Sequence, residues 1–389
     1  MNTTQRAGLL QRWSAIQEEL IPGLGLEVEG LTPKLETLIH TLEWARIEEF
    51  VPAWHGIGRP PKDRSALANG FVAKAVLGLT TTVSLIDRLT VDRALRRICG
   101  FSRGKKLPDE ATFSRAFAEF AQSRLAERVH EALIKAHLGT ELIGHISRDG
   151  TAIEARERPA KPASTPVEAP AATAQAVLPD TMPPAAAPAA PALPKKRGRP
   201  RRDETRAPKL TRIERQRRQT LAEMQSELPR ACDRGTKCNA QGYKVSWNGY
   251  KLHIDTADCG VPISAILSSA SMHDSQAAIP LSHLSAARVT NLYDVMDAAY
   301  CSAGLRAHCK DLGHVPLIDH NPRGGEKIEF DPAESVRYNE RTVAERMNAR
   351  LKDEFGGNNV WVKGNTKVMS HLMFGLLVLT VDQLMRLLQ

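Results

Sequence analysis

The stretch Tyr338–Gly357, YNERTVAERMNARLKDEFGG, decides how the rest of this chain reads. Taken as one helix at ~100° per residue, it gathers Tyr338, Arg341, Glu345 and Lys352 into a stripe about 60° wide. Val336, Val343, Met347 and Leu351 fall on the opposite side, the apolar face of an amphipathic helix. One acid, two cations and a phenol on so narrow a stripe have two readings. The first is a solvated face laced with helical ion pairs, the common fate of charged helix faces. The second is a site in which the acid holds a cation and its neighbours meet an anion, and a phenol is an odd residue for a merely solvated face. The stripe by itself leaves both open.

The totals narrow the choice. A chain of 389 residues with 42% apolar content can hold two or three domains with real cores. The formal charge of +9 is concentrated: residues 195–218 carry 12 Lys/Arg against 3 Asp/Glu, and the remainder is neutral. A balanced globular chain with one basic segment points to nucleic acid or another polyanion. The opening MNTTQRAGLLQRW has no apolar signal-peptide core. The apolar run Val368–Val381 is short for a bilayer and reads as a buried C-terminal helix. Six cysteines make no disulfide framework and read as reduced and cytosolic. Cys232 and Cys238, with no second pair behind them, make a poor zinc site.

The chain divides by pattern. Residues 1–55 form an N-terminal helical segment and 56–138 a helical domain, with helix starts at Asp63 and near Asp109 or Thr112, the second helix running on to 138. Trp13, Trp44 and Trp54 read as core. In 139–157, LIGHIS and TAIEA read as two strands around Arg148, Asp149 and Gly150, a hairpin. Residues 158–229 are a linker: 158–194 hold 10 Pro and 13 Ala in 37 positions, with no helical period. The linker runs into KKRGRPRRDE. There Lys195, Lys196, Arg197, Arg199, Arg201 and Arg202 flank a Gly and a Pro, and the segment resembles an AT-hook. Gly permits close approach and Arg is drawn to the negative potential of a narrow A·T minor groove; non-specific phosphate binding is the competing reading. A helix with a Thr211–Glu214 capping box then follows. Residues 230–389 alternate strands and helices, with strands over 242–258 and 261–270, a helix over 275–288, strands NLYDVM and HVPLID, and helices over 334–355 and 366–388. Strands followed by a late helix bearing an acid suggest one α/β sheet with helices against it.

The acids can then be placed. Asp149 ends the first strand, Asp297 ends a later one, and Glu345 sits on the stripe. Three carboxylates without His or Cys suit a hard divalent cation, Mg²⁺ or Mn²⁺. Two such ions ~3.5–4 Å apart can clamp the attacking and leaving oxygens of a phosphodiester. Asp294 competes with Asp297, three residues away and on the other strand face. Asp255, Asp258 and Asp274 also lie near strands, with Asp274 read as a helix N-cap. His145, His253 and His273 read as structural, and Arg148 as a surface residue beside a turn.

The residues carry a resemblance. Tyr338, Arg341, Glu345 and Lys352 match the spacing Y-(2)-R-(3)-E-(6)-K, and the chain resembles the bacterial insertion-sequence transposases of the DDE class, whose catalytic core is ribonuclease H-like. SRDGTAIEA resembles the segment carrying the first catalytic Asp, and VMDAAYCS the segment carrying the second. GRPPKDRSALANGFVAKAVLGL and PDEATFSR resemble the family's N-terminal helical domain. The resemblance covers most of 56–389 apart from the linker. It implies an α/β, ribonuclease H-like core behind an all-α domain, interrupted by a disordered basic linker. It implies Asp149, Asp297 and Glu345 as catalytic metal ligands, and two Mg²⁺ or Mn²⁺ ions. Tyr338, Arg341 and Lys352 would contact terminal DNA.

The implied reaction is cleavage at insertion-sequence ends followed by joining of the 3′-OH to target DNA. The implied partners are double-stranded DNA and a second copy of the chain, as a homodimer or larger assembly, in the bacterial cytoplasm on the nucleoid. A nuclease that cleaves without joining, and an inactive DNA-binding descendant, stand beside that reading. Three features depart from the family pattern. The Pro/Ala and basic insertion follows the first strands, and only 47 residues separate Asp297 from Glu345, so a large β-rich insertion is absent. Residues 1–55 have no clear counterpart.

Overall fold

The structure, a computed structural model, describes residues 31–51, 62–102, 105–159, 210–238, 241–322 and 325–388. Six strands form one mixed sheet: β1 (Leu142–Glu154), β2 (Asp233–Cys238), β3 (Lys244–Ala257), β4 (Pro262–Ser269), β5 (Thr290–Met296) and β6 (Val315–Ile318). Their order is β2-β3-β1-β5-β6, with β4 pairing the second half of β3. The β1–β3, β2–β3 and β3–β4 pairs are antiparallel, while β5 and β6 run parallel to β1 through helical crossovers. Antiparallel strands joined through short turns on one side, and crossover-linked parallel strands on the other, give the ribonuclease H-like arrangement.

One face of the sheet meets the helical part of the chain. That part holds α1 (Pro33–Ala45), α2 (Arg64–Val76), α3 (Thr82–Val91), α4 (Arg93–Ile98), α5 (Glu110–Gln122) and α6 (Leu125–Leu138). Asp63, Thr81, Asp92 and Asp109 each accept a backbone N–H at a helix start, so the punctuation is written locally. The hub is the last helix, which packs against α1, α2, α5, α6 and β4. Its residues Leu372, Phe374, Leu376, Leu377 and Leu379 share one apolar core with Leu38, Leu67, Phe71, Phe120 and Ile134 of the helices and with Ile146, Leu252 and Ile254 of the sheet. This helix, Asn365–Arg386, is long and apolar enough to cross a membrane, but 72% of its most apolar window is buried inside the fold. It exceeds the apolar run because polar residues extend it at both ends.

The opposite face is covered by α7 (Arg212–Gln216), α8 (Leu221–Glu227), α9 (Ser275–Ala286) and α10 (Ala303–Asp311), closing over Met224, Ile279, Met296, Tyr300 and Leu305. The stretch quoted at the outset lies on α11 (Pro332–Asn339) and α12 (Thr342–Asp353), ahead of the last helix, α13.

Four local readings differ from the structure. Residues 142–154 form one strand, and Asp149 lies within it. Gly150 stays extended and pairs with His253, so β3 supplies the neighbour that a hairpin would have had to supply from within. The 338–357 stretch is two helices. Around Arg341 the bonds Val343 N–H to Glu340 O and Ala344 N–H to Arg341 O close over three residues, a 3₁₀-like tightening that breaks the ~100° period. Val336 is accordingly 69% exposed, whereas Val343, Met347 and Leu351 are buried. The 211–228 region is also two helices, and its capping box is Thr220 with Glu223. The long helix after Asp109 breaks where Arg124 turns left-handed, at φ 52°. Trp13, Trp54 and the whole 195–202 basic run lie outside the described residues.

Candidate active site

The sheet register brings two acids side by side. β1 and β5 are parallel, with Arg148 paired to Met296. The next residue on each strand is Asp149 and Asp297, so the two carboxylates leave adjoining strands at the same level and on the same face. Three residues earlier, Asp294 is paired with Ile146 and its side chain leaves the opposite face. Asp297 caps the following turn, its Oδ1 accepting the Ala299 N–H at 2.9 Å.

Helix α12 supplies the rest. Its apolar side, Val343, Met347 and Leu351, is buried against the sheet and α13. Asn348, one turn past Glu345, donates to Asp149 Oδ2 at 2.8 Å. Arg341, at the start of α12, holds Glu345 at 2.5 Å. Burial, and then the Asp297 charge, push the Asp149 carboxyl up to about 6, against the pull of Arg341. Burial likewise raises Asp297. Burial works against the Arg341 charge, but Glu345, Tyr338, Asp149 and Asp297 together raise its guanidinium. One cation therefore stands among three acids. Among the described residues no three His, Cys, Asp or Glu side chains close on a single point: Glu345 is 51% exposed and turned onto Arg341.

The donor chemistry fits a divalent cation. All the candidate donors are carboxylate oxygens, and two of them face each other with their charged forms destabilised. Oxygen-rich sites of this kind suit Mg²⁺ or Mn²⁺ rather than zinc.

Behind the acids lies a sealed ion network on the other sheet face. Arg148 is only 2% exposed; its Nε and Nη2 donate to the two oxygens of Asp255 at 2.7 and 2.8 Å, and Asp294 lies 3.6 Å away. Ser285 of α9 donates to Asp255 at 2.7 Å, and His314 meets Asp294 at 2.9 Å. Arg148 is thus buried, not on the surface, because β3 and β5 both present acids to its face of β1. Asp255 and Asp294 are occupied as its partners. Asp274 does not cap α9 with its side chain. Lys251 takes its carboxylate at 2.9 Å, and the absence of a Cβ at Gly150 leaves room for it. His253 bonds Ser268 and His273 bonds Ser275, both structural roles.

The DNA-contact candidates flank the acids. Tyr338 packs on Phe330 with ring centroids 4.8 Å apart, and Arg341 lies 6.0 Å from the Tyr338 ring. Lys352 is half-buried; burial, then Lys237 on edge strand β2, lowers its ammonium, while Glu154 and Asp149 oppose that. The structure therefore brings Asp149, Asp297, Tyr338, Arg341 and Glu345 together, with Lys352 further along the same helix. The sequence reading missed Asn348, although its spacing of three from Glu345 puts it on the same helical side.

A mixed sheet with paired aspartates on adjoining parallel strands and a glutamate on a covering helix defines the ribonuclease H-like class of nucleic-acid-processing folds. Residues 27–119 match the family described as Transposase domain (DUF772), and residues 226–381 match the family described as Transposase DDE domain. The chain belongs to the insertion-sequence DDE transposases, metal-dependent enzymes that cut and join DNA. No curated protein and no solved structure matches it. The DDE match begins at residue 226, so β1 with Asp149 lies outside it.

Proposed function

We propose that this transposase cleaves DNA at the ends of its insertion sequence and joins the freed 3′-OH to a target strand, with Asp149, Asp297 and Glu345 holding two Mg²⁺ or Mn²⁺ ions. The observation that carries this is the register of β1 on β5, which sets Asp149 beside Asp297 under the helix bearing Glu345. Bound divalent ions there supply Lewis-acid stabilisation of the attacking and leaving oxygens of a phosphodiester.

The chain's own residues do the positioning. Asn348 fixes one oxygen of Asp149 and leaves the other to a cation. Arg341 neutralises the acids before they are loaded and, once a cation takes that role, offers its guanidinium to phosphate. Tyr338 and Lys352 hold the terminal strand at either side. Water first displaces the 3′ oxygen of the element's end. That 3′-OH then displaces the corresponding bond of the target, so each step breaks one phosphodiester linkage and makes one bond to phosphorus. Catalysis is mainly placement and charge stabilisation. The 195–202 basic run adds phosphate contacts, and a homodimer or larger assembly holds two ends together.

The test uses a DNA fragment carrying the gene's own flanks. Metal-dependent nicks at defined ends, with joined products, support the proposal. Nicks without joining reduce the chain to a nuclease, and clean binding without cleavage to an inactive DNA-binding relative.

A further inference from the structure

Beyond Met296 the sheet is open on one side of β1. β5 ends at Met296, which pairs with Arg148, whereas β1 runs on to Glu154. From Asp149 onward β1 therefore has no strand on its β5 side, and the two faces of the sheet meet at that gap. Helix α9 comes to it from the back face, packing on β3, β4, β5 and the Ala298–Tyr300 turn that follows Asp297. Asp274 stands at the start of α9. It lies against β1 one residue past Asp149, where a Cβ on Gly150 would be 2.9 Å from its Oδ1.

The Asp274 carboxylate is incompletely satisfied. Lys251 Nζ is 2.9 Å from Oδ1, yet Oδ1 accepts no hydrogen bond among the described residues, and Lys251 donates instead to Met272 O at 2.9 Å. His253 Nδ1, in a fully buried ring, is 3.7 Å from the same oxygen and has no partner either. Oδ1 is sealed, so the 23% exposure of the side chain falls on the rest of it.

Tyr300 shows where the acids converge. It is 1% exposed, and its hydroxyl makes no hydrogen bond among the described residues. After burial, the charges acting on that hydroxyl are those of Asp274, Asp149 and Asp297, in that order. Asp274 also acts on Asp297. A buried phenol without a partner, in the field of three carboxylates, has no structural account of its own.

Asp274 thus resembles Glu345. Each stands beside the central pair Asp149 and Asp297, one from the back face and one from α12, and each is drawn onto a cation of the chain: Lys251 for Asp274 and Arg341 for Glu345. A divalent ion competes for such carboxylates because it carries twice the charge and takes oxygen ligands in number.

We propose that Asp274 is a fourth carboxylate of the metal site, serving the cation at Asp297 from the back face of the sheet, with Lys251 as the counterion it gives up. The proposal rests on the assignment of Asp149, Asp297 and Glu345 above and adds a residue to it.

The test titrates full-length protein with Mn²⁺ by calorimetry, in wild type, Asp274→Asn, Lys251→Met and Asp149→Asn, with melting curves of each in chelator. Asp274→Asn is expected to weaken Mn²⁺ binding roughly 10–100-fold. Lys251→Met is expected to tighten it, because the competing ammonium is gone. The opposite signs separate a ligand from a structural ion pair, whose loss would lower both melting temperatures and leave both affinities alone. Unchanged affinity in Asp274→Asn beside a loss in Asp149→Asn overturns the proposal and leaves the proposed function standing. Unchanged or weaker affinity in Lys251→Met overturns it as well, and this variant decides the matter if Asp274→Asn does not fold. Unchanged affinity in Asp149→Asn removes the metal assignment of the proposed function, and the fourth carboxylate with it.

Discussion

Arg148 and Asp255 meet in two parallel hydrogen bonds of 2.7 and 2.8 Å, with both side chains sealed inside the sheet. Arg148 is the residue before Asp149, and Asp255 pairs with it across β3. The pair therefore pins β1 from the face opposite the acids and fixes the register that sets Asp149 beside Asp297. Replacing Arg148 by Met leaves Asp255 and Asp294 buried without their cation, which costs about 3–5 kcal/mol. Urea denaturation should show a midpoint lowered in proportion. A change below ~1 kcal/mol would mean that the network does not hold the register.

The Asp149 carboxyl gives a pH signature. It titrates at about 6 in the folded chain and near ~3.9 unfolded, so the folded chain holds more protons between those values. This group's contribution to stability is thus fully present below ~pH 4 and is lost as pH rises through 6. Without divalent metal, Asp149→Asn should stabilise the protein at neutral pH by about 1–3 kcal/mol and have little effect at pH 4. Melting curves of both proteins at the two pH values, in chelator, check this. Equal stability at neutral pH would contradict the crowding of Asp149 by burial and Asp297.

Asn348 should matter through Asp149. Removing its 2.8 Å bond in Asn348→Ala frees the carboxylate to rotate. The expected result is Mg²⁺ affinity weakened roughly 10–100-fold with the fold intact, read by titration calorimetry. Unaltered metal affinity would remove Asn348 from the site.

How much of this was legible in the sequence follows from what each residue's neighbours are. Asp63 and Asp109 announce helix starts because a cap acts within three residues. The strands of the 243–318 region read correctly because apolar runs bounded by Gly, Asn and Asp carry that signal locally. The resemblance of Tyr338, Arg341, Glu345 and Lys352 to the family's spacing identified the chain even though the single helix assumed for them is two. Arg148 read as a surface residue because nothing near it in sequence is an acid of its own face. Its partners, Asp255 and Asp294, come from strands more than a hundred residues away. The apparent hairpin at Gly150 failed for the same reason, since the glycine answers Asp274 and His253 rather than a turn.

Lys352 and Tyr338 are expected to touch DNA phosphates rather than bases. Lys352→Ala should reduce the slope of log binding constant against log salt by about 0.9, the value for one phosphate contact. Deleting 195–206 should flatten it further, since that segment holds much of the excess positive charge. Filter binding across a salt series reads both, and unchanged slopes would take these residues out of the interface.

The most direct measurement compares wild type with Glu345→Gln on DNA carrying the gene's own flanking sequence, with and without Mg²⁺, scored for strand-specific nicks and joined products. Nicks at defined ends that need Mg²⁺ and vanish in the variant, while DNA binding survives, are the predicted result. Cleavage by Glu345→Gln at the wild-type rate, or by wild type in chelator, would contradict the assignment of Asp149, Asp297 and Glu345 as the metal-holding acids.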